Sequence, residues 1–181
     1  MHVMLDLETW GTRPGSALRS IGVVQFHLNS SVLGGTFYRN IEKESCLLAG
    51  LTVDAETVSW WQRQSPEAIA SLEKDPRPLP EIVSAFHDWF RTVGGKYIWC
   101  HGANFDEPLW SAVCRALARP VPWKYWDTRC TRTLFAMADF DMRSVPREGV
   151  AHDALADAIH QARCVQMAVG KLRAPKDKAA A

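Results

Sequence analysis

The sequence lacks the marks of a membrane or secreted protein. No apolar run approaches the ~20 residues that span a bilayer. The leading apolar stretch, Val3 to Leu7, is too short to read as a secretory signal and has no basic lead-in. Cysteines number five (Cys46, Cys100, Cys114, Cys130 and Cys164), an odd count with no CxxC pair. That pattern argues against both a disulfide framework and a zinc site, and for a reducing compartment. Excess charge is missing too: 21 Lys and Arg against 20 Asp and Glu leave a net charge of +1. The molecule as a whole therefore exerts no pull on nucleic acid or membrane, and a charged ligand has to be held locally. These absences set the expectation of a cytoplasmic protein with no membrane partner.

What is present is an ordinary globular composition, 47% hydrophobic and 23% charged over 181 residues, enough for one domain with a full core. Val3 to Leu7 reads as a strand. "SALRSIGVVQFHLN" (16–29) and "GGTFYRNI" (34–41) read as two more, joined by short connections that suggest an antiparallel meander. The period then changes to helical in "TVDAETVSWWQRQ" (52–64), in "SPEAIASLE" (65–73) with Ser65 as cap and Pro66 in the first turn, and in "EIVSAFHDWFRTV" (81–93). "KYIWCHG" (96–102) is a fourth strand and "NFDEPLWSAVCRALA" (104–118) a helix. "PWKYWD" (122–127) is expected as a short fifth strand, 131–138 as a turn or two of helix, 139–149 as a polar loop, and 152–172 as a final helix. The reading is a single domain over 1–172 with a disordered tail over 173–181. Three strands followed by alternating helices and strands predict an α/β domain, a mixed five-stranded sheet with helices on both faces.

The chemistry lies in where the acids fall. Asp6 and Glu8 sit two apart in "VMLDLETWG", so both carboxylates project from one face of the first strand. Two like charges at the end of a buried strand repel each other and resist desolvation. Asp106 opens the helix after the fourth strand, and Asp157 lies in the last helix, five residues after His152. Ligands in open α/β folds commonly bind at one edge of the sheet, where strand ends and helix starts meet. Four carboxylates gathered there form an all-oxygen cluster suited to Mg²⁺ or Mn²⁺, whose charge offsets the repulsion. Each acid alone has a plain alternative: an edge-strand charge for Asp6, a helix-dipole partner for Asp106, a solvent-facing helix residue for Asp157, a cap for His152. Their order and flanking elements set the combination apart.

Three blocks, "DLET" (6–9), "HGANFD" (101–106) and "HDALADA" (152–158), make the chain resemble the DEDDh, or DnaQ-like, 3′–5′ exonuclease superfamily, which has an RNase H-like fold. The five-residue step from His152 to Asp157 matches the histidine subgroup. "SIGVVQF" (20–26) and "ETVSWWQRQSPEA" (56–68) look like the RNase T-like 3′ exoribonuclease branch, which also has relatives acting on DNA. One departure is Gly102, where many members carry Asn after the histidine of the middle block; here Asn104 stands nearer the aspartate.

The resemblance implies hydrolysis of single-stranded RNA or DNA from a free 3′ end, with RNA favoured, two Mg²⁺ or Mn²⁺ ions, and nucleoside 5′-monophosphates as products. Asp6 would bridge both ions, Glu8 and Asp157 would complete one shell, and Asp106 would serve mainly the other, with His152 as general base. Thr9, Trp10, Trp61 and Asn104 are the expected substrate contacts, the tryptophans by stacking on bases. Trp61 also has core packing as its plain alternative, while Trp89, Trp99 and Trp110 read as core. Seven basic residues between Arg115 and Arg147 offer phosphate contacts or simply a solvated face, and Asp127 is a partner for Arg129 or Arg132. The resemblance also implies a homodimer, for which the sequence itself shows no interface. Two alternatives stand beside this reading: an RNase H-like endonuclease, against which His152 argues, and a catalytically silent nucleic-acid or protein-binding module on the same fold.

Overall fold

A computed structural model describes residues 1–149 and 152–174. Strands β1 (His2–Thr9), β2 (Leu18–Phe26) and β3 (Leu33–Asn40) form the antiparallel meander. Four helices follow: α1 (Lys43–Leu48), α2 (Ala55–Trp61), α3 (Pro66–Leu72) and α4 (Leu79–Thr92). Then come β4 (Tyr97–Cys100), α5 (Asp106–Ala116), β5 (Thr128–Cys130), α6 (Thr131–Met137) and α7 (Ala154–Arg173). The sheet order is β3-β2-β1-β4-β5, with β4 parallel to both β1 and β5. This is the expected mixed five-stranded sheet.

Alternation along β1 splits the core into two layers. Val3, Leu5 and Leu7 face one side, packed with Ile82, Val83, Phe86 and Phe90 of α4 and Leu109, Trp110 and Val113 of α5. Met4 faces the other, joining Val24, Phe26 and Trp99 beneath Phe135 of α6 and Ala158, Ala162, Val165 and Val169 of α7. Burying each large apolar side chain contributes about 1.5–3 kcal/mol, so both helical layers are held by packing rather than by propensity. The alanines let α7 lie close to the sheet. At Gly22 of β2 the approach is closest: a Cβ there would meet the Ala154 carbonyl carbon at 2.1 Å.

Four expectations need correction. Residues 122–127 are not a strand: Tyr125–Asp127 forms a 3-10 turn, and the strand is Thr128–Cys130, set by parallel pairing of Ile98 with Thr128. A three-residue strand has no period of its own to read, and its position is a long-range matter. α1 was not expected; its six residues have no side-chain cap and bury one residue, Cys46. α7 begins at Ala154 rather than His152, because Asp153 is the cap, its Oδ1 accepting from the Ala156 amide at 2.8 Å. The polar loop contains a 3-10 turn at Met142–Ser144, capped by Asp141. The expected tail over 173–181 lies outside the described residues from 175 onward.

Candidate active site

The register of β1 puts Asp6 and Glu8 on the same face as Met4, toward α7. Asp6 stands opposite Gly22 of β2, and the pairing slips between Glu8 and Thr9, an irregularity of the kind that re-aims side chains beside active sites. From α7, one turn past Asp157, Gln161 donates through Nε2 to Asp6 Oδ1 at 2.7 Å. From the start of α5, Asp106 Oδ1 accepts the Leu7 amide at 3.1 Å, tying the third acid to the strand that carries the first two. Asp157 forms an ion pair with Arg147. The ligand atoms of Glu8, His152 and Asp157 lie within 4.8 Å of one another.

The electrostatics match the repulsion inferred from sequence. Asp6 is raised well above the carboxylate range, first by burial and then by Asp106 and Glu8. Glu8 is pushed up to about 8 by burial and by Asp106, with Arg19 opposing. Asp106 rises to about 7 through burial, against the Leu7 hydrogen bond and Arg132, which lower it. Carboxylates that resist ionising for want of positive charge, offering oxygen alone, fit a hard divalent cation. Asp6, Glu8, Asp106 and Asp157 are the residues that would hold it.

His152 has left-handed backbone (φ 63°) and meets the Trp60 ring edge-on at 4.8 Å. Burial and then Arg147 lower its basicity. Its ring borders a cavity of about 460 Å³ lined also by Asp6, Glu8, Asn104, Asp106 and Arg132. A second cavity of similar volume adjoins it, sharing Glu8, Thr12 and Phe105 and walled by Thr9, Glu56, Trp60 and Trp61.

All five expected catalytic positions therefore converge, and Asn104 joins them at the cavity wall. Thr9 is buried, its hydroxyl donating to the Gly11 carbonyl at 2.7 Å. Trp10 and Trp61 sandwich the Arg19 guanidinium, 4.1 and 4.4 Å from the two ring centroids. Trp61 is 3% exposed and donates its indole N–H to the Thr9 carbonyl at 2.8 Å. The more open ring beside the site is Trp60, at 38%. The sequence reading favours Trp61 over Trp60 and gives no role to Gln161, Phe105 or Arg19; Arg132, one of the seven basic residues it names, lines the cavity. A signal existed for Gln161, four residues after Asp157 and so on the same helix face; none existed for Arg19, whose role depends on two rings far apart in the chain. Asp127 is buried and, among the described residues, forms no ion pair with Arg129 or Arg132.

Known proteins are similar to this chain in sequence and in fold. The exodeoxyribonuclease of Enterobacteria phage T4 is 24% identical over 188 residues, covering 85% of this chain and 82% of that protein. In fold, the chain is similar to the nuclease domain of 3′hExo, a DEDDh family member solved with rAMP bound (TM-score 0.64, 12% identity, 93% of this chain and 91% of that one). It is also similar to Pop2p of S. pombe in its Mg²⁺- and Mn²⁺-bound form (TM-score 0.53, 13% identity, 92% and 81%). The model for the Rv2179c-like 3′–5′ exoribonuclease domain matches residues 1–169. The chain belongs to that family of 3′–5′ exonucleases, and its fold is the RNase H-like fold of the DEDDh nucleases it is similar to.

Proposed function

We propose that this exonuclease hydrolyses single-stranded nucleic acid, RNA in preference to DNA, releasing nucleoside 5′-monophosphates with the help of two divalent ions. The observation that carries the reading is the approach of Glu8, His152 and Asp157 ligand atoms to within 4.8 Å, beside the buried pair Asp6 and Asp106. Mg²⁺ or Mn²⁺, when bound there, would supply an acidified water and charge stabilisation at the leaving 3′-oxygen. Asp6, buried between Asp106 and Glu8, would serve both ions, with Glu8 and Asp157 holding one and Asp106 the other. Gln161 holds the Asp6 carboxylate in place through its amide. His152 accepts the proton from the attacking water at a ring nitrogen; its lowered basicity keeps that nitrogen free near neutral pH. The second cavity, walled by Trp60 and Phe105, receives the terminal nucleoside, with Thr9 beneath it and Asn104 across the first cavity. Trp61 is part of the same wall, and the Arg19 guanidinium joins it to Trp10.

The preference for RNA rests on the family description and on the ribonucleotide in the 3′hExo structure, while the T4 relative is named for DNA. The test is incubation of 5′-labelled single-stranded RNA and matched DNA with Mg²⁺ or Mn²⁺, beside an Asp6→Ala control. A ladder shrinking from the 3′ end, faster on RNA and lost with EDTA or in the control, supports the proposal. Internal cuts would replace it with an endonuclease, and intact strands under every metal condition with a binding module. A homodimer in the same cytoplasmic setting belongs to this reading, and light scattering tests the dimer.

A further inference from the structure

Away from the site, the outer edge of the sheet carries an uncovered aromatic pair. Tyr125 is 84% exposed and Trp126 56%, their rings in edge contact at 4.7 Å. Cations are interleaved with them. Lys124 Nζ lies 5.3 Å from the Trp126 ring centroid. Arg129 donates from one nitrogen to the carbonyls of Trp126 (2.8 Å) and Thr128 (2.9 Å), while its guanidinium covers the Tyr97 ring at 4.8 Å. Lys96 Nζ lies 5.0 Å from the same ring. Among the described residues none of these three cations forms an ion pair. Rings exposed for stacking beside unneutralised positive charge match a polyanion that carries flat bases.

The patch is also in line with the site. Arg129 pairs in register with Trp99, and Trp99 with Met4, so Arg129 shares the sheet face that carries Asp6 and Glu8. Arg132, three residues further on, lines the cavity that holds the acids. Three residues span at most ~11 Å, which bounds Arg129, and the six from Trp126 to Arg132 at most ~22 Å, a span of several nucleotides. Taking as given the single-strand exonuclease reading above, we propose that Tyr125 and Trp126, with Lys124 and Arg129, form a second binding platform that holds the strand 5′ of the nucleotides in the active site. Stacked bases and phosphate contacts at this distance would retain the substrate between successive cleavages without specifying its sequence.

The test is the KM of a Tyr125→Ala/Trp126→Ala variant on a single-stranded RNA 20-mer and on a dinucleotide too short to reach the patch. The loss of one stacked base is worth roughly 5- to 150-fold. The expected result is a rise in KM within that range for the 20-mer, with kcat and KM for the dinucleotide at wild-type values. Lys124→Gln should reduce the salt dependence of 20-mer binding, measured in EDTA, by about 0.7 in log–log slope. Equal effects on both substrates, or none on either, would overturn the platform. So would a wild-type dimer that the double variant converts to monomer with KM unchanged, which assigns the patch to a second copy of the chain. Failure of the parent reading looks different: the wild-type enzyme would hydrolyse neither substrate.

Discussion

Gly22 is the position where packing and catalysis can be separated most sharply. It lies in β2 directly opposite Asp6, and the start of α7 rests on it. A Cβ at this position would stand 2.1 Å from the Ala154 carbonyl carbon and 2.2 Å from both its oxygen and the Leu155 nitrogen. All three are backbone atoms, so no rotamer change relieves the overlap. Reaching even the 3.4 Å of ordinary contact requires the helix start to retreat by about 1.3 Å (3.4 less 2.1). His152 and Asp157 flank Ala154 and move with it. A misplacement of 1 Å at a catalytic group costs on the order of 100-fold. Gly22→Ala should therefore lower kcat about 100-fold and weaken Mn²⁺ binding by calorimetry. Overpacking typically costs about 1–3 kcal/mol, or roughly 2–4 °C in Tm per kcal/mol for a chain of this size. The control is Gly170→Ala further along the same helix, where an added Cβ meets nothing within 4 Å. That variant should gain about 1 kcal/mol in stability with kcat unchanged. A Gly22→Ala enzyme with wild-type kcat would refute the claim that this glycine sets the depth at which α7 delivers its residues.

Asp6→Asn keeps the acceptor for Gln161 but removes one charge from a repelling buried cluster. Its Tm in EDTA should exceed that of wild type, while the stabilisation by Mg²⁺, about 2.7 kcal/mol at 100 times Kd, should largely vanish; a lower Tm in EDTA would contradict the electrostatic account. Replacing Arg19 by Lys removes the planar group stacked between Trp10 and Trp61 and should cost about 2 kcal/mol in urea unfolding; no change would show the sandwich to be passive. His2 and His87 are both lowered to about 4, burial being the largest cause. Each contributes stability above the unfolded value of 6.5 that is lost as pH falls toward 4, because the unfolded chain takes up the proton first. Urea midpoints should drop from pH 7 to pH 4.5, and His87→Gln should flatten the profile; an unchanged slope would count against it.

How far the sequence carried this picture varies with the range of the forces involved. The long elements were legible because their periods are local: the alternating β1 and the apolar stripe of α4 were both recognisable before any contact was known. The convergence of the acids was legible because order and spacing combine three blocks. β5 was misplaced because its position follows from pairing with β4, and α1 was missed because six residues hold too little pattern. The tryptophans divide along the same line. Neighbours on a helix face about 100° apart, so Trp60 and Trp61 have to part, but only the Arg19 stack tells why the buried one is Trp61.

The joints of the site span almost the whole chain: Leu7 to Asp106 and Asp6 to Gln161 close loops of 99 and 155 residues. Domains emerge from synthesis N-terminal end first. A growing chain that has reached α6 already carries Asp6, Glu8 and Asp106 but neither His152 nor Asp157. Until α7 docks on β1 and β2, these three acids stand without His152 and Asp157. Assembly of the site therefore waits on the docking of the last helix described, whatever the order in which the other elements form.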